Sequence, residues 1–283
     1  MSVLVASLPF VSLDDLRRNP SGPLAAALLY PVGVRGGRSL SSRLWGLEQL
    51  GVEGFYDAMA WPTAKRLLGW HVLGRGYRGV VFLGRWRGKT VALKLRRADA
   101  VPGASLLAEA AALALANGVQ LGPTLWSASE GCLVMDSVMG DRLIDWVYRE
   151  PTKPGYPSNA EVSAVLLQLA EAGFRLDQLG LDHGELSCVA SHAMVCSELS
   201  GAPEAVMIDF GQASLERRAC NVTAMIQGLL IGTSIPQALA RRFVLPGREV
   251  AIAPLRAYKR FPSPETFAEV RSLVTDLPEI LKT

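Results

Sequence analysis

The stretch WHVLGRGYRGVVFLGRWRGKTVALKLRR, residues 70–97, constrains the fold more than any other part of the chain. It is dense in β-branched and aromatic residues, with glycines at turn positions. That pattern predicts three strands of a meander, with a tight turn at RGKT. Within it Gly74, Gly76 and Gly79, followed by Val81, spell G-x-G-x-x-G-x-V. Dinucleotide-binding units use the same glycines, and Asp99 even stands near the distance of their ribose acid, but that fingerprint must open a helix. Here VVFLGRW follows, and it favours a strand. A glycine hairpin between strands fits a flap over phosphates, because glycine admits positive φ and brings backbone N–H groups close to an anion. Taken alone, these residues also fit a plain glycine-rich hairpin.

The third strand ends in Val91-Ala92-Leu93-Lys94. A lysine pointing inward from an apolar strand is costly unless it meets an anion. Lys94 is therefore a candidate for holding the α- and β-phosphates of a nucleotide. It needs a carboxylate to fix it, and Glu109 is the one acid in the helical stretch SLLAEAAALALAN, which Asn117-Gly118 closes. CLVMDSV, residues 132–138, reads as a strand running into a linker that receives adenine. Backbone groups of Asp136 and Val138 would meet the base edge, Met135 would guard the rear of the pocket and Ala92 would lie over the ring. An ordinary edge strand is the alternative.

Beyond Gly140 helices dominate, at about 142–149 and 159–180. HAMVC and AVMIDF form a strand pair joined by the turn SELSGAPE, and Ser263-Pro264 opens a last helix. A β-rich piece thus precedes an α-rich one: an α+β fold with two lobes and a cleft. The expected divisions are a mostly helical appendage over 1–68, a β-rich lobe over 69–135 and an α-rich lobe over 136–283. Met207-Ile208-Asp209-Phe210-Gly211 puts an acid at a strand end, where its oxygens suit Mg²⁺. Before it, LDHGELSCVASHAMV carries His183 and Glu185, and the fifth residue after Glu185 is Ala190.

In this order and context the motifs resemble the protein-kinase-like superfamily over residues 70–225. The His-Gly-Glu form, the short loops and the lack of an Ala-Pro-Glu segment make the chain similar to compact, atypical members, the RIO kinases and predicted archaeal serine/threonine kinases. The resemblance implies a bilobal fold, ATP and Mg²⁺, and phosphoryl transfer to a Ser/Thr hydroxyl of an unidentified protein. It makes Lys94 and Glu109 the ion pair, Glu185 the catalytic carboxylate, Asp209 a metal ligand and His183 the packed histidine of the loop. The second metal ligand directly precedes the next strand, which makes it His192. Gly184 stands where many kinases clamp a phosphorylated loop with arginine, so activation by loop phosphorylation is not expected. A nucleotide-binding scaffold with little turnover and a small-molecule kinase are the competing readings.

Composition narrows the setting. Hydrophobic residues at 49% and charged ones at 19% predict a globular chain, and a net charge of +3 gives no reason to invoke nucleic acid. The first 68 residues show no basic-aromatic pattern either. Cysteines 132, 188, 196 and 220 form no C-x-x-C pair, which predicts reduced, mostly buried thiols in a cytoplasmic protein. MSVLVASLPFVSLDD lacks a basic leader region. The charge-free run between Arg218 and Arg241 is long enough for a bilayer, but its Asn221, Thr223, Gln227 and Pro236 predict a core helix and turn.

Overall fold

The computed structural model describes residues 5–34, 39–100, 105–196, 201–232 and 234–280. The fold is mixed α+β. It divides into two compact units, Met1–Asn117 with Pro123–Met139, and Gly118–Gly122 with Gly140–Thr283.

The first unit is built on an antiparallel sheet. Its strands are β1 (Phe10–Ser12), β2 (Val52–Tyr56), β5 (Gly74–Arg75), β6 (Gly79–Trp86), β7 (Lys89–Arg96), β8 (Leu125–Ala128) and β9 (Cys132–Asp136); β3 (Lys65–Leu67) and β4 (Trp70–Val72) make a separate hairpin. The strand order is β1-β2-β6-β7-β9-β8, with β5 paired to β6. A two-residue turn joins β6 to β7, with Arg87 at φ 46° and Gly88 at φ 75°, the primed geometry that matches strand twist. Of the three strands expected over residues 70–97, the second and third pair as foreseen, while β4 pairs with β3 outside the main sheet. The helices are α1 (Leu13–Arg18), α2 (Pro23–Leu28), α3 (Leu40–Gln49) and α4 (Leu107–Gly118).

Strand alternation sets the two faces of β7. Val91, Leu93 and Leu95 enter the larger core with Phe55, Phe82, Leu28, Leu44 and Leu47. Ala92 and Lys94 therefore lie on the opposite face. The expected appendage over 1–68 is not a separate body, because β1 and β2 hydrogen-bond into the same sheet as β6. It holds the helices α1, α2 and α3 together with β1, β2 and β3. The second division falls after Met139 rather than after Met135.

The second unit contains β10 (Asp141–Arg142), α5 (Leu143–Val147), α6 (Asn159–Leu179), α7 (Val189–His192), β11 (Ala193–Cys196), β12 (Glu204–Met207), α8 (Asn221–Ile226), α9 (Ser234–Leu239), α10 (Arg248–Arg260) and α11 (Pro264–Thr275). A Ser158–Glu161 capping box starts α6, and Gly180 in the left-handed region stops it. Its buried residues Val162, Val165, Leu166, Leu169 and Leu176 recur at helical spacing. β10, β11 and β12 form a small antiparallel sheet. Part of the turn expected between β11 and β12, residues 197–200, lies outside the described residues. The charge-free run forms α8, a π-helical turn and α9. Among the described residues no helix is long and apolar enough to cross a membrane. Of the four cysteines only Cys132 is buried; Cys188 is exposed and the others are half-buried, against the expectation of mostly buried thiols.

Candidate functional site

The candidate residues fall into two groups, one in each unit. In the first, Lys94 Nζ donates to Glu109 Oε1 at 2.6 Å, and both side chains are buried, at 8% and 6% exposure. Lys94 sits opposite Val81 and Leu133 in the ladder, and Leu133 packs with Leu106 and Ala110 at the start of α4. That packing brings Glu109 over the lysine. Gly79 makes room for the pair: a Cβ there would stand 3.2 Å from Lys94 Cγ and 3.0 Å from Leu95 O.

The glycine loop is a tight hairpin in which Gly74 faces Val81 and the Gly76 N–H donates to Gly79 O at 2.9 Å. Strand β6 follows it, not a helix. None of Gly74, Gly76 and Gly79 is among the residues with positive φ, so that expectation is corrected. Gly79 is required by crowding at the sheet, and a Cβ on Gly74 would meet nothing within 4 Å.

Ala92 is buried and lies opposite Met135. Of the two backbone positions expected to meet a base, the Asp136 N–H already donates to Thr124 O at 2.9 Å, and the Val138 carbonyl accepts from Trp61 Nε1 at 3.2 Å. Those two groups are committed within the protein. The Asp136 carboxylate is also engaged, accepting from Trp126 Nε1 at 2.6 Å.

The second group is Glu185, His192 and Asp209, whose ligand atoms all lie within 4.8 Å of one another. Strand register explains two of them. Ala193 pairs with Met207, and the Ile208 N–H extends the ladder to His192 O at 2.9 Å. His192 therefore stands just before β11, beside Asp209, which lies just after β12. Glu185 is delivered by the loop between α6 and α7, which tightens through Cys188 N–H to Glu185 O at 2.9 Å before the single turn of α7. His192 Nε2 stands 3.4 Å from Glu185 Oε2. His192 Nδ1 lies 3.1 Å from Cys188 O; a carbonyl only accepts, so Nδ1 carries the proton and Nε2 points at the carboxylates. Asp209 holds φ at +66°, a left-handed conformation that costs a side-chain residue roughly 1–2 kcal/mol.

His183 is fully buried beneath the loop, with its ring 4.9 Å from that of Phe210 and Nε2 3.3 Å from Ile208 O. Burial, reinforced by nearby His192, lowers its pKa to about 4, so at neutral pH the ring is uncharged. Among the described residues no hydrogen-bond partner reaches Nδ1. Gly184 has φ +87°, and a Cβ there would be 2.6 Å from Arg217 Nη2.

Sequence reasoning missed the residues that hold this loop. Asp182 and Ser214 form a β-bridge, and Arg217 donates to Asp182 at 2.6 Å. Asn221 accepts from the His183 N–H at 2.9 Å and donates to Leu181 O at 2.8 Å. Asp177, near the end of α6, accepts from the backbone and side chain of Asn221, from the Val222 N–H and from Tyr258. Burial pushes the Asp177 carboxyl above its ordinary value, and those four donors pull the other way. The one available signal was Asn221, a polar residue at the first position of an apolar helix.

The chain matches no family model and no curated protein. What stands on its own geometry is a mixed α+β protein with a buried Lys–Glu pair on its sheet and a Glu–His–Asp cluster at a hairpin end.

Proposed function

We propose that the chain is an ATP- and Mg²⁺-dependent protein kinase of the bilobal protein-kinase-like type, transferring phosphate to Ser or Thr hydroxyls in the cytoplasm. The observation that carries this reading is the buried Lys94–Glu109 ion pair. A buried pair adds little stability over apolar residues of similar size, so its presence on an apolar strand argues for an anion to be held. Bound ATP with Mg²⁺ would supply the transferable phosphoryl group and the charge neutralisation that such transfer needs.

In this reading Lys94 holds the phosphates under the glycine loop, and Glu109 keeps the ammonium in place. Val81, Ala92 and Met135 wall the base. The base edge falls to the Asp136 carbonyl and the Val138 N–H, since the complementary groups are committed within the protein. Asp209 and His192 hold the ion, and Glu185 orients the acceptor hydroxyl and takes its proton. The 3.4 Å approach of Glu185 to His192 favours a second reading, a nucleotide-binding scaffold with little turnover, because the acid is already engaged.

Single-turnover transfer from γ-labelled ATP decides between them. The kinase reading expects labelled Ser or Thr, a loss of about 10²- to 10⁴-fold in Glu185→Ala, and lowered activity in Glu185→Asp, whose shorter arm misplaces the oxygens. Gain of activity in Glu185→Asp would favour the scaffold, and absence of any nucleotide-dependent thermal shift would sink both.

A further inference from the structure

We infer that Glu185, His192 and Asp209 form a centre selective for a first-row transition dication, with Mn²⁺ favoured over Mg²⁺, and that the nucleotide-free chain binds such an ion. This rests on reading the cluster as the metal site of the proposed function. It goes further by assigning the imidazole as a direct ligand and the ion class that follows.

Two features of the cluster converge. The first is the state of His192. Its Nδ1 donates to the Cys188 carbonyl, the arrangement by which a backbone acceptor fixes a metal-bound imidazole and directs the other nitrogen to the ion. The second is spacing. Metal bonds of about 2.1 Å put neighbouring donors on the order of 3 Å apart and opposed donors about 4.2 Å apart. The 3.4 Å between His192 Nε2 and Glu185 Oε2 fits neighbouring donors, and the 4.8 Å bound on the whole set is nearly closed.

The donor set then decides the ion. Mg²⁺ seeks oxygen donors in a near-ideal octahedron. Imidazole instead suits the later divalent metals, and Mn²⁺ accepts both nitrogen and carboxylate ligands. One imidazole with two carboxylates thus penalises Mg²⁺ relative to Mn²⁺. Glu185 closes the set in the nucleotide-free chain.

The experiment titrates the full-length, nucleotide-free protein with Mn²⁺ and follows the loss of the free-ion paramagnetic resonance signal. Nitrogen hyperfine coupling is then read from spin echoes of the bound ion. One tightly bound Mn²⁺ is expected, with nitrogen coupling, resisting a tenfold excess of Mg²⁺ (about that order of selectivity). In His192→Asn the amide offers oxygen, so the coupling should vanish and the preference for Mn²⁺ should fall by at least about tenfold. His192→Gln serves as a second variant, and the wild-type result stands even if both variants misfold. Absence of binding, absence of nitrogen coupling, or displacement by equimolar Mg²⁺ would overturn the inference. A chain that binds Mn²⁺ through nitrogen yet never responds to ATP would support it while overturning the phosphotransfer reading.

Discussion

Lys94 and Glu109 are held together with both side chains nearly dry. Removing one partner breaks this buried ion pair, at a cost on the order of 3 kcal/mol. Lys94→Met should therefore lose transfer and also a large part of its stability. Lys94→Met combined with Glu109→Leu should regain most of that stability and none of the transfer, and urea unfolding beside the labelled-ATP assay checks both. Wild-type turnover in Lys94→Met would mean that the lysine holds no phosphate. His183 makes a separate demand. Its folded pKa of about 4 lies below the ordinary 6.5, so the unfolded chain binds the proton first as pH falls. Its contribution is present in full above pH 6.5 and is lost on acidification toward pH 4, by about 3 kcal/mol in all. Urea melts in chelator at pH 7 and pH 4.5 should show this slope, and His183→Asn should flatten it.

Elements differ in how far local sequence dictates them. β6, β7 and the two-residue turn between them were legible because alternation and turn chemistry act within a few residues. So was α6, from the helical spacing of its apolar residues. β1 and β2 were not, since their place depends on partners far along the chain, Tyr56 facing Leu83 for example. That Lys94 meets Glu109 and that His192 lies beside Asp209 was expected from motif order, and the hairpin register supplies the physical reason for the second meeting. Arg217 and Asp177 were invisible because neither belongs to a pattern, and only the fold brings them to the loop. The loop offers its own test. Gly184 has positive φ, and a Cβ there would press on Arg217 Nη2 at 2.6 Å and Gln212 O at 2.7 Å. Gly184→Ala should cost about 2–3 kcal/mol, from backbone strain and from pushing Arg217 off Asp182. Adding Arg217→Ala should cost less than the two separate effects summed, because the clash is shared. Strict additivity in denaturant melts would mean that Arg217 is not what fills the space beside Gly184.

At the scale of the whole molecule each unit has its own sheet and buried residues, and each candidate group is local to one unit: Lys94 with Glu109 in the first, Glu185, His192 and Asp209 in the second. Their assignment to one reaction is the part that neither unit's geometry supplies alone, and ligand linkage tests it. A ligand that binds only the native chain stabilises it by RT ln(1 + [L]/Kd), about 2.7 kcal/mol at a hundredfold excess over Kd. For a chain of 283 residues, roughly 2–4 °C per kcal/mol turns this into a rise in Tm of about 5–10 °C. ATP with Mg²⁺ should produce such a rise in the wild type. Asp209→Asn keeps the shape of the side chain and removes the charge that holds the ion, so its Mg²⁺-dependent share of the rise should vanish. The Lys94→Met, Glu109→Leu double variant, stable enough to melt cooperatively, should lose the rise with or without Mg²⁺. An undiminished rise in both would place the nucleotide on other residues, and a rise lost only in the first unit's variant would leave Asp209 as the end of a strand with no part in binding.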